Sequence, residues 1–119
     1  MKKLLSGNDP KLSTLRLQLK TATVADRKNT GSGFYVDFLV PPNVPRISAN
    51  PSFEIGDVAG KLNDGKLDVG FVLFVKDGAL SMLEGFAYGT DEWPEQIADF
   101  QLHYTKGERE EAATTPKTP

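Results

Sequence analysis

The sequence predicts an α+β fold: a mostly antiparallel, curved sheet of five or six strands, with one short N-terminal helix packed on it. Three observations lead there. Runs of alternating or wholly apolar residues fill the stretch from Gly33 to Tyr104. Short turn signals such as Asn63-Asp64-Gly65 and Asp77-Gly78 join them, which is how antiparallel neighbours connect. One segment alone, near the start, combines helical apolar spacing with a capping residue.

That segment opens with Asp9-Pro10, an N-cap followed by a first-turn proline, and continues with Leu12, Leu15 and Leu19. Leu15, Leu17 and Leu19 also alternate, so a strand competes over the second half. A helix over Pro10 to Lys20 is the reading adopted, with a strand beginning near Thr21. Gly33 to Val40 is a strand with Phe34, Val36, Phe38 and Val40 on one face and Tyr35, Asp37 and Leu39 on the other. Pro41 to Pro51 holds four prolines, which fix φ and remove ladder donors, so it reads as a long ordered or semi-rigid loop. Phe53 to Leu62 is the next strand, with Gly56 and Gly60 marking a bulge or a close backbone approach. Leu67 to Val75 is apolar on both faces in its second half, as a central strand would be. Asp77-Gly78 suits a type I′ hairpin, returning the chain through Leu80 to Tyr88. Beyond a loop over 89–94 and a short turn at Glu95 to Ile97, the last strand is Phe100 to Tyr104.

The expected core is Phe34, Val36, Phe38, Val69, Phe71, Leu73, Val75, Leu80, Met82, Phe86, Phe100 and Leu102. The expected domain is 1–104. The remainder, 105–119, contains no large apolar residue and reads as a disordered tail.

The chain has 119 residues, 39% hydrophobic and 25% charged, with 14 basic against 16 acidic side chains for a net charge of −2. That length suits one core. A sequence pI near 5.4 argues against a nucleic-acid binder dominated by electrostatics. Cysteine is absent, which removes disulfides, thiolate metal sites and cysteine nucleophiles. Leu4-Leu5 is too short for a signal-peptide apolar region and no run is long enough to span a membrane, so the expectation is a cytoplasmic protein.

Thr30-Gly31-Ser32-Gly33 resembles the start of a phosphate loop, but Val36 replaces the third glycine and a strand follows, so it reads as a turn. His103, the sole histidine, has no Gly-x-Ser-x-Gly partner motif, and Asp57, Asp64 and Asp68 lack calcium-loop register. No catalytic residue, metal ligand or cofactor is assigned. Glu84 stands in the row Leu80, Met82, Glu84, Phe86, Tyr88. A carboxylate there must be paired, be held neutral, or face a groove. Trp93, the only tryptophan, lies between Asp91-Glu92 and Glu95. It either caps an open end of the core or anchors an interface ringed by charge.

The strings Gly33-Phe34-Tyr35-x-x-Phe38-x-Val40-Pro41, Asp77-Gly78-x-Leu80-x-x-Leu83-Glu84-Gly85-Phe86-x-Tyr88 and Trp93-Pro94 resemble a group of small uncharacterised bacterial single-domain proteins. The resemblance covers Thr30 to Tyr104. Proteins of this look and size include immunity-like partners of bacterial toxins, and the resemblance supplies no catalytic residues. The expected function is a non-enzymatic protein-binding module, an immunity-like inhibitor of a bacterial toxin. It would dock through Trp93, Tyr88, Glu84, Asp91 and Glu92 onto a protein partner, with no nucleic acid and no membrane involved. The alternative is a small-ligand-binding or hydrolytic domain with Glu84 in a groove lined by Tyr88, Phe86 and the proline-rich loop.

Overall fold

The computed structural model describes residues 1, 3–63, 65, 67–88, 93, 99–105 and 114–116. Asp9 caps helix α1 (Pro10–Leu19), its carboxylate accepting from the Lys11 amide at 2.9 Å, and Pro10 occupies the first turn. The strands are β1 (Thr23–Asn29), β2 (Gly33–Leu39), β3 (Phe53–Leu62), β4 (Leu67–Lys76), β5 (Ala79–Ala87), β6 (Phe100–Tyr104) and β7 (Thr114–Pro116). All pair antiparallel in the order β1-β2-β5-β4-β3-β6, with β7 beside β3. The sheet is open and the class is α+β. Of the predicted tail, Thr114–Pro116 is this short strand opposite Phe53 to Ile55.

Predicted turns fall where their chemistry requires. Asp77 and Gly78 have φ of 51° and 76°, the positive pair of a type I′ hairpin. Gly78 packs so closely on Ile47 that a Cβ would lie 2.9 Å from the Ile47 carbonyl oxygen. The proline-rich loop is therefore a cover for the core. Ile47 is buried beneath it, and the Arg46 guanidinium donates to the carbonyls of Val40, Pro41 and Val44, closing the loop on itself.

The core lies between one sheet face, α1 and the N-terminal segment. Leu4, Leu5, Leu12 and Leu15 from the chain start meet Phe53, Ile55, Val58, Leu73, Val75 and Leu80 from the sheet. Arg16 donates to the carbonyls of Leu5 and Gly7 and ties that first segment to the helix.

Four predicted core residues need correction. Phe100 is 62% exposed and Leu102 36%, because β6 is an edge strand whose apolar side extends past the helix. Met82 and Phe86 are only half-buried and face away from the helix. The cause is a bulge: Phe74 pairs with Met82 but Val75 pairs with Leu80, leaving Ser81 as the extra residue. Leu80 thus points inward, at 3% exposure, while Met82, Glu84 and Phe86 point outward. The inner row of β5 is Leu83, Gly85 and Ala87, opposite Leu73, Phe71 and Val69.

Candidate functional site

The outer face of the sheet is built in rows across the strands. One row carries Val72 of β4, Glu84 of β5, Tyr35 of β2 and Lys28 of β1. Gly56, in the β3 bulge, lies beside Val72 at its far end, where a Cβ would be 3.6 Å from a Val72 methyl. The next row carries Glu54, Phe74, Met82 and Asp37. On the other side, the rings of Phe86 and Tyr88 meet edge to face at 5.5 Å and lie across Gly70, where any Cβ would clash with both.

Glu84 is half-buried in this surface, between Tyr35 and Val72 across the sheet and between Met82 and Phe86 along its own strand. Among the described residues its carboxylate has no hydrogen-bond or ion-pair partner; the ion pair on this face, Lys61 with Asp68 at 2.9 Å, lies towards the β3–β6 edge. No described element packs across the face. An acid held in an apolar surround, without a partner of its own, is positioned to receive one from outside.

Trp93 lies on the opposite side of the sheet. Its amide donates to the Gly31 carbonyl at 2.8 Å, so the Gly31 turn between β1 and β2, read from the sequence as a plain turn, is what fixes it. Its indole meets Phe34 edge-on at 5.1 Å and Phe71 at 6.4 Å, and packs on a second buried cluster of Leu62, Leu67, Val69 and Ala87. Trp93 thus covers the end of the core that α1 does not reach, and it also forms part of a cleft of about 290 Å³ there.

The cleft shows how strongly the sheet curls. Flat, six strands would hold β1 and β6 about 24 Å apart. Here Arg27 and Asn29 of β1 and Phe100 and Leu102 of β6 line the same small space.

The expected site residues therefore divide. Glu84 and Tyr88 share the outer face, Trp93 belongs to the inner one, and Asp91 and Glu92 lie outside the described residues. The proline-rich loop packs at the hairpin end of β5, on the helix side, so it does not line a groove with Tyr88 at the strand's other end. Sequence reading missed two features. One is the outer-face surface around Phe74 and Val72, signalled by apolar residues on both sides of β4. The other is the Arg27 and Asn29 lip, which carries no sequence signal at all. Among the described residues, no helix is long and apolar enough to cross a membrane. Compared with family models, curated proteins and solved structures, the chain matches none.

Proposed function

We propose that this protein is a non-enzymatic, cytoplasmic protein-binding module that docks a folded partner on the outer face of its sheet. One observation carries the reading: Tyr35, Val72, Phe74, Met82, Phe86 and Tyr88 form an uncovered apolar and aromatic surface around Glu84, which has no partner of its own among the described residues. Aromatic side chains with a methionine among them, around a central polar group, match the composition of interface cores. The partner this surface suits presents a lysine or arginine set in apolar surroundings. Burial of that cation against Glu84 would set the docking register, and the surrounding contacts would exclude water. Immunity-like occlusion of a toxin is the form of this function that the sequence resemblance implies.

The test is capture from host lysate with wild-type protein beside Glu84→Lys and Leu17→Ser, the latter an exposed helix residue on the other side. The reading expects one stoichiometric partner, kept by Leu17→Ser and lost by Glu84→Lys. Equal retention by Glu84→Lys, or no partner at all, overturns it. A partner lost by Leu17→Ser and kept by Glu84→Lys would place docking on the helix side instead.

A further inference from the structure

We propose that the cleft around Trp93 is a second, separate site that binds a small aromatic carboxylate. Phe34, Phe71 and Trp93 line it together, and the edge-to-face contacts of the indole with both phenyl rings hold the three in fixed orientation. Phe100 and Leu102, exposed at 62% and 36%, form one lip. Large apolar side chains left uncovered around a concave space, rather than folded over it, are the mark of a ligand pocket.

The opposite lip supplies the polar chemistry. Arg27 is the one charged side chain among the described residues lining the cleft, and Asn29 stands beside it. The guanidinium lies over the Phe34 ring, 5.8 Å from its centroid, and makes no ion pair among the described residues. Stacking on Phe34 orients its remaining donors without neutralising the charge. The cleft thus offers a ring-lined apolar space with one oriented cation at its rim. A flat apolar body fits among the rings, and a carboxylate at its end reaches Arg27.

Size selects among molecules with that chemistry. At about 290 Å³ the space lies at the lower end of small-molecule pockets, enough for one ring with a short acid arm and too little for a run of peptide. The site is independent of the outer-face docking surface, since the two lie on opposite sides of the sheet.

The only tryptophan of the chain is part of the cleft, so its fluorescence reports occupancy directly. Phenylacetate is the probe, with phenylethanol as its uncharged counterpart. The proposal expects a saturable change in Trp93 emission with phenylacetate, weaker by about ten-fold or more with phenylethanol and with Arg27→Gln. Arg27 is an exposed side chain on an edge strand, so Arg27→Gln leaves the fold intact, which circular dichroism would verify. Leu102→Glu, placing a like charge on the other lip, should abolish the response to phenylacetate. No saturable change, or acid and alcohol titrating alike, or Arg27→Gln titrating like wild type, overturns the proposal.

Discussion

Gln18 on the helix and Leu80 on β5 are joined by a buried hydrogen bond of 2.9 Å, the Leu80 amide donating to the Gln18 side-chain oxygen. The same side chain is fully buried, and its amide nitrogen donates to the carbonyls of Gly78 at 2.9 Å and Pro45 at 3.0 Å. One glutamine therefore ties helix, hairpin and proline-rich loop together. Gln18→Leu keeps the volume but leaves the Leu80 amide without that acceptor and the Pro45 and Gly78 carbonyls without that donor. The expected cost is about 2–4 kcal/mol, since each buried polar group left unpaired costs about 1–3. Urea denaturation measures it, and a loss below about 0.5 kcal/mol would mean that water replaces the side chain.

Arg46→Ala should release the proline-rich loop. Three carbonyls lose the guanidinium, that of Pro41 keeping only the Val44 amide at 3.1 Å, and Ile47 loses the closure that holds it in the core. We expect a stability loss of about 1–3 kcal/mol and new protease cleavage between residues 41 and 51. Lysine should restore little, because one ammonium cannot span three acceptors as the planar fork does. Mass mapping of the fragments decides the point.

Glycines at two positions should respond oppositely to alanine. A Cβ on Gly33 would lie 2.0 Å from the Gly85 carbonyl oxygen, a backbone atom held in the β2–β5 ladder. Gly33→Ala should fail to give folded protein at ordinary temperature. Gly56→Ala meets only ordinary contact, 3.6 Å from a Val72 methyl, and should change stability by no more than about 0.5 kcal/mol. Thermal melts of the two side by side test the packing directly.

Glu84→Leu should raise stability by about 0.5–1 kcal/mol, because it removes a half-buried, unpartnered carboxylate from an apolar row. The same change should weaken partner capture. Stability and binding moving in opposite directions is the signature of a group kept for function. A variant that is less stable than wild type would show Glu84 to be structural.

Trp93→Ala should cost the fold about 2 kcal/mol as well as removing an aromatic lining residue of the cleft, since the indole packs on Phe34, Phe71 and the second buried cluster. Trp93→Phe should recover most of that loss. Unchanged denaturation of Trp93→Ala would detach the residue from the core.

The elements of this fold were legible because their signals are local. Asp9-Pro10 starts the helix through capping and a preset φ, Asp77-Gly78 closes its hairpin through positive φ, and alternation marks β2. What alternation leaves open is which side is inside wherever the period breaks. The extra residue at Ser81 turns Leu80 inward and Met82, Glu84 and Phe86 outward, and the β3 bulge lets Ile55 and Val58, three apart, both enter the core. A shift of one residue exchanges the two faces of a strand, and only pairing with its neighbours shows where that shift falls.

By itself, then, the sequence determined the helix, the strand segments β1 to β6 and the turns that join them locally, but not β7, because propensity, periodicity and turn chemistry act over a few residues. The tertiary structure alone decided that Glu84 and Trp93 occupy opposite faces. It also decided that Gln18 is buried and that Arg27 and Leu102 share one cleft. Those relations depend on register, bulges and the curl of the sheet, which arise from contacts between residues far apart in the chain.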